Sequence, residues 1–361
     1  MESVAIYLGV FLIGTMFLKQ GTHYRKTINI MSVIGLMIII LFAAGRYYVG
    51  TDCVTYNNIF ARYAAYDWKT FFQITNAELL FALVAKVTFS AAGRVLTWGA
   101  FAALTVVPVY YTLKEEYPHV SFGVAMMVFL ISFYTTSFNV TRQFVAVAIV
   151  FWGVKYVYNN RFVPFALSVV IASGFHQTAI IAILLWFLWD HKTHCAIIGW
   201  RRVCFLIGIT LVIIFYQNVI EYLSSNISSF DKYESYTEIS DRGKNRDLIV
   251  SIVEMVVLFL FRNPICNKDK RNDFLYSLLI ISVLIGFTGF THPQVKRIAY
   301  YFAMPSTVVL FSYLPTCFRN ESRVVSKILI IGWFAGLFIL TAYILGQANL
   351  IPYRFDLFSP W

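Results

Sequence analysis

His176 stands in the run Ser173-Gly174-Phe175-His176-Gln177-Thr178-Ala179, between apolar arms of about 14 and 12 residues. Arms this short read as tilted or broken helices meeting inside a bilayer, where non-helical backbone survives only if buried in protein or lining a wet cavity. An ionisable group at such a place is functional by default, and histidine is the natural general base near neutral pH. The alternative is a structural histidine with its hydrogen bonds satisfied. A second run, Gly45-Arg46-Tyr47-Tyr48-Val49-Gly50-Thr51-Asp52 followed by Tyr56, closes an apolar stretch. Gly50 permits a tight turn with backbone close to a ligand. Arg46 offers a planar fork of donors suited to phosphate oxygens, and Asp52 is placed to accept a proton or orient a hydroxyl. A structural ion pair between Arg46 and Asp52 is the plainer reading.

A third run, Asn139-Val140-Thr141-Arg142-Gln143, joins two apolar stretches. With Arg142 at a helix N-terminus, its guanidinium and the free backbone N–H groups bind one anion together. Equally, Asn139 or Thr141 caps the next helix while Arg142 snorkels. A fourth, Thr291-His292-Pro293-Gln294-Val295-Lys296-Arg297 with Tyr300 and Tyr301, and a tail of Pro352-Tyr353-Arg354-Phe355, are interfacial in character, since Tyr and Arg are ordinary there.

The elements that hold these residues follow from composition. Of 361 residues 59% are hydrophobic and 13% charged, and mean hydropathy is +0.69. A soluble domain carries about 25% charged residues, so a soluble enzyme and a disordered chain are both excluded. Thirteen apolar stretches lie between Val4 and Leu345, most near the roughly 20 residues that cross the hydrocarbon core. The fold class is an all-α polytopic membrane protein, one integral membrane domain over residues 1–361. Ala77 to Ala92 holds Glu78 and Lys86, costly near a bilayer midplane, and reads as an interfacial amphipathic helix. With that segment outside, the short loops on one side hold 16 of the 29 Lys and Arg but only 6 of the 18 Asp and Glu, as the positive-inside rule requires. About twelve transmembrane helices follow, plus the interfacial helix, with both termini outside. Residues 46–76 and 221–247 are then long external loops.

The remaining motifs are negative. The five cysteines form no CxxC, so no disulfide framework or metal site is expected. There is no Walker A, HExxH, external DxD or GxSxG, and hence no cofactor is expected. Basic residues are scattered without a soluble basic face, so nucleic acid is not a partner.

In their order and spacing, Arg46 with Gly50-Thr51-Asp52 and Tyr56, Asn139-x-x-Arg142-Gln143, Phe175-His176-Gln177-Thr178-Ala179, Arg297 with Tyr300, and Pro352-Tyr353 resemble the EpsG family of exopolysaccharide and O-antigen polymerases, often called Wzy-like. Where that family commonly has a Lys after the His, this chain has Gln177. The resemblance implies a glycosyltransferase of GT-C-like architecture in the bacterial inner membrane, its active site facing the periplasm. Such an enzyme, acting in lipopolysaccharide or exopolysaccharide biosynthesis, transfers a glycan chain from undecaprenyl diphosphate onto a new lipid-linked repeat unit. Its expected partners are that lipid-linked oligosaccharide, membrane lipid and a chain-length regulator protein. On this reading Arg46, Arg142 and Arg297 stabilise the leaving diphosphate. His176 or Asp52 takes the acceptor's proton, while Gly50, Thr51, Tyr56, Asn139, Gln143, Gln177, His292 and Tyr300 bind substrate. A flippase for the same lipid-linked oligosaccharide, or a membrane ligase or acyltransferase, is the competing class.

Overall fold

The computed structural model describes residues 1–22, 29–75, 78–193, 195–197, 199–214, 244–287 and 296–358. The described chain is overwhelmingly helical and forms two compact units, Met1–Ile183 with Phe311–Trp361, and Leu184–Leu310. Its only strands among the described residues are Trp189–Asp190 and Cys195–Ala196, a two-stranded antiparallel hairpin.

In the first unit, α1 (Glu2–Gly21) packs along α2 (Ile30–Ala44). Small residues let the two backbones approach: a Cβ added to Gly35 would sit 2.8 Å from Leu18 Cγ and 2.9 Å from the Gly14 carbonyl oxygen. Helices in lipid associate through this kind of close packing, because the hydrophobic effect no longer drives them together. The segment after α2 carries two short helices, α3 (Cys53–Ala65) and α4 (Trp68–Ile74). The Asp67 carboxylate caps α4 by accepting from the backbone N–H groups of Lys69 and Thr70, satisfying donors the first turn leaves open.

Next comes α5, Leu79–Glu116, whose 38 residues would reach about 57 Å if straight, nearly twice a hydrocarbon core. It is not one rod. Ala92 and Gly93 leave helical geometry, with φ +65° at Gly93, so an arm from Leu79 precedes the break and a longer arm follows it. The break falls where the sequence divides the suspect segment Ala77 to Ala92 from the next apolar stretch. Lys86, the cation that made that segment suspect, is buried and donates to the carbonyls of Tyr63 and Tyr66 at the end of α3. A cation there meets the negative end of the helix dipole, which ties the arm to α3 and explains the charge.

The unit continues with α6 (Phe122–Val128), a π-turn over Phe129–Tyr134, α7 (Thr141–Tyr158) and α8 (Phe162–Phe175). It closes with a long apolar helix over Asn320–Phe338 and a π-turn over Ile339–Ile344.

In the second unit, the helices Trp200–Ile214, Lys244–Leu260, Arg262–Lys268 and Asn272–Phe287 follow the hairpin. Asp273 accepts from both Arg202 and Arg262, while Tyr276 donates to the Leu258 carbonyl at 2.7 Å.

Among the described residues, four helices are long and apolar enough to cross a membrane, Glu2–Gly21, Leu79–Glu116, Arg297–Cys317 and Asn320–Ile344. A fifth counts if the pair Arg246–Leu260 and Arg262–Lys268, bent by 68°, is one span. Five shorter apolar helices accompany them. This is an all-α membrane protein; the full set of twelve crossings expected from the sequence is not among these helices. Residues 215–243, which hold most of the expected external loop 221–247, lie outside the described residues.

Candidate active site

Glu78 sits at the head of α5, where its left-handed backbone, φ 57°, starts the helix. Its side chain is 9% exposed and spans two partners. Oε2 lies 2.5 Å from Arg142 Nη1, and Oε1 lies 2.5 Å from His176 Nδ1. The Gln177 backbone N–H also donates to Oε1 at 3.4 Å. One carboxylate thus holds together the second residue of α7 and the residue that ends α8. His176 has extended backbone, φ −153° and ψ 120°, and the chain resumes beyond it as a 3₁₀ helix over Gln177–Leu188. The break in the apolar run therefore falls on the histidine itself.

Burial by itself pushes the Glu78 carboxyl up, but the hydrogen bond from His176 and the charge of Arg142 outweigh it and hold the group below its ordinary value. Glu78 is therefore an anion at neutral pH. With Nδ1 of His176 against that anion, the network assigns Nδ1–H as donor and leaves Nε2 as the basic nitrogen. The Arg142 guanidinium also hydrogen-bonds Tyr56, and its side chain is 40% exposed.

Aromatic rings connect this triad to Arg46. The Arg142 guanidinium lies 5.4 Å from the Phe81 ring centre and 5.9 Å from that of Tyr56. Tyr56 meets Trp98 edge-on at 5.8 Å, and Trp98 is fixed by donating to Asn57 Oδ1 at 3.0 Å. On the Trp98 ring, at 3.8 Å, lies the Arg46 guanidinium, with Phe138 at 4.3 Å. Arg46 is 2% exposed, its Nε has no hydrogen-bond partner among the described residues, and it lines a cavity of about 10 Å³ with Thr105, Ser137 and Thr141. Burial lowers the proton affinity of this guanidinium, and the ring faces supply cation–π attraction in place of a carboxylate.

The C-terminal segment straps this end of the unit. Backbone N–H groups of Gly50 and Tyr47 donate to the carbonyls of Asn349 and Arg354, at 2.8 and 3.0 Å, and that of Asp356 donates to Gly45 at 2.7 Å. Asn139 Nδ2 donates to the Ala348 carbonyl at 3.0 Å, and Tyr353 stacks on Phe42 at 4.3 Å. Gly50, at φ +101°, turns so tightly against Asn139 that a Cβ would stand 2.7 Å from Asn139 Oδ1. Beneath the strap, Arg94, just past the break in α5, is 5% exposed and donates to the carbonyls of Arg46 and Asp356.

Residues 29–355 match the family model described as "EpsG family". The chain belongs to the EpsG family. Membership points to an exopolysaccharide-polymerase-like, glycosyltransferase-like role in polysaccharide biosynthesis. No curated protein and no solved structure matches the chain.

In this EpsG-family chain, the first unit holds Arg46, Gly50, Thr51, Asp52, Tyr56, Asn139, Arg142, Gln143, His176 and Gln177. Arg142, His176 and Gln177 meet on Glu78, and Tyr56 lies against Arg142. Gly50 and Asn139 meet under the strap. Asn139 is not the cap of α7, for Val140 holds that position and has no side-chain cap bond. Gln143 is buried. Asp52 accepts from the Thr51 hydroxyl at 3.1 Å. Gln177 contributes backbone, its side chain being exposed. Arg297 and Tyr300 belong to the second unit, Arg297 opening a short 3₁₀ turn before the helix Tyr300–Tyr313. His292 lies outside the described residues. The sequence reading passed over Glu78 and Arg94 as site residues. For Glu78 the signal was present, a carboxylate in an apolar stretch, which marks a functional position as readily as a topological one.

Proposed function

We propose that this protein is a glycan polymerase that extends a polysaccharide at the periplasmic face of a bacterial inner membrane. In this reading a chain linked to undecaprenyl diphosphate moves onto a new lipid-linked repeat unit. The observation that carries it is the carboxylate of Glu78 bound at once to His176 and Arg142. The acceptor's hydroxyl oxygen attacks the anomeric carbon of the growing chain, and its proton passes to His176 Nε2. The bond from that carbon to the diphosphate breaks with its electron pair on the leaving oxygen. Glu78 fixes the tautomer beforehand and stabilises the imidazolium afterwards, the part a carboxylate plays behind a histidine base. Arg142, oriented by the same carboxylate, faces the charge growing on the diphosphate, where a preorganised cation is most effective. Arg46 adds a fixed positive charge behind the aromatic wall. The acceptor is oriented by Asp52, whose carboxylate lacks the dyad that supports His176 as base.

A deletion strain tests the proposal by its surface glycan. Single-repeat glycan should replace the ladder, and the wild-type gene but not His176→Gln should restore it. Complete loss of surface glycan would indicate a flippase, and polymer retained on its carrier would indicate a ligase; either overturns the proposal.

A further inference from the structure

The helices that carry the active-site end of the first unit also build its opposite end, where they enclose a second site. Along α1 the chain runs from Tyr7, which donates to the Leu350 carbonyl beside the strap, to Lys19 in its last turn. Likewise the longer arm of α5 runs from Arg94, beneath the strap, to Lys114, and the helix Asn320–Phe338 runs from Arg323 to Phe338, beside Tyr7. Between the far ends opens a cleft of about 650 Å³ lined by Lys19, Lys114, Arg323 and Lys327, with Leu12, Met16 and Met127 on its wall. That volume falls within the range of small-molecule sites.

Among the described residues no Asp or Glu lines the cleft. Glu115 and Glu116 follow Lys114 in the chain but stay outside it. Among the described residues none of the four cations makes an ion pair. Lys114 is only 6% exposed, and its ammonium lies over the faces of Tyr110 and Tyr111, at 5.7 and 6.0 Å. Arg323 and Lys19 are near enough to act on Lys327 by like-charge repulsion. A buried cation without a counter-charge, as Lys114 is among the described residues, is costly, and an anion in the cleft, held also by the more exposed Lys19, Arg323 and Lys327, removes that cost. Leu12 and Met16, about half exposed on a membrane-crossing helix, continue the cleft as an apolar track. The charge distribution also puts this end at the leaflet where positive loops collect.

We propose that the cleft binds an anionic glycerophospholipid, the head phosphate among Lys19, Lys114, Arg323 and Lys327 and an acyl chain along Leu12 and Met16. Basic pockets between transmembrane helices at that leaflet suit such headgroups. The proposal is independent of the polymerase reading, since it uses no residue of the Glu78 cluster.

Native mass spectrometry and thermal unfolding of the detergent-purified protein, titrated with phosphatidylglycerol, phosphatidylcholine or inorganic phosphate, test it. Phosphatidylglycerol should bind and raise Tm, phosphatidylcholine should bind at least tenfold more weakly, and inorganic phosphate alone should leave Tm unchanged. Lys19→Gln with Lys327→Gln should weaken phosphatidylglycerol on the order of thirtyfold, five- to sixfold for each charge near the surface. The pair Lys155→Gln and Arg161→Gln, outside the cleft, should leave it unchanged. If the first pair does not yield folded protein, Lys327→Gln alone, expected to weaken binding about fivefold, decides. Equal binding of phosphatidylcholine, an equal effect of inorganic phosphate, or equal weakening by the control pair would overturn the proposal.

Discussion

Glu78 Oε1 lies 2.5 Å from His176 Nδ1 across 98 positions of sequence, so the head of one helix orients the end of another. If that orientation serves proton transfer, Glu78→Gln should slow chain extension by a factor on the order of 10² to 10⁴, the usual worth of a positioned base. Elongation of a fluorescent lipid-linked repeat in proteoliposomes measures it. His176→Gln should be as slow, and the double variant no slower than either single one, because the two residues act as a unit. Wild-type elongation by Glu78→Gln would remove the carboxylate from the mechanism.

Arg142→Lys keeps the charge but loses the planar fork that, on the proposed mechanism, reaches Glu78 and the leaving diphosphate together. It should reduce elongation about tenfold or more while the protein expresses and melts near normally. Unchanged chain lengths on a glycan gel would show that a point charge suffices.

Acid should loosen the same cluster. The folded-state pKa of Glu78 is held below its ordinary value of 4.5, so its contribution to stability is present above that value and is lost as pH falls through the lower, folded one. At pH 7, Glu78→Gln should cost about 2 kcal/mol, the scale for hydrogen bonds to charged groups. Melting curves of wild type and variant in detergent should converge as pH is lowered below about 4.5. A gap that persists unchanged at acid pH would mean that Glu78 acts by shape alone.

Gly50→Ala should be destabilising by about 2 kcal/mol, since it places a side chain at φ +101°, 2.7 Å from Asn139 Oδ1. Gly123→Ala provides the comparison, because a Cβ there meets nothing within 4 Å among the described residues. Thermal unfolding of the two variants should separate them clearly; equal melting temperatures would mean that the turn relaxes without cost.

The class of fold and the helix break at His176 are legible in the sequence because both follow from local properties, apolar length and its interruption. Arg142 is legible as a charge where topology asks for none. Glu78 is harder to read: it belongs to a stretch whose apolar content is ambiguous, and its partners lie 64 and 98 residues away, beyond the reach of helical periodicity. Lys86 raised the same doubt about that stretch and resolves differently, as the cap of a short helix. Nor does composition distinguish Arg46, stacked among rings and sealed from solvent, from an arginine open to a ligand; only the packing of Trp98 and Phe138 does. Gly93, whose positive φ breaks a 38-residue helix, reads in sequence as one more small residue in an apolar run.

Residues 347–356 supply the backbone acceptors for Gly50, Tyr47 and Asn139, and they follow every helix that they strap. During biosynthesis the bundle must therefore insert and pack while that surface still lacks its fastening. A nascent chain released before residue 356 emerges would hold Glu78, Arg142 and His176 yet lack the clasp over Arg46. The clasp over Arg46 is thus the last part of this end that the growing chain can complete.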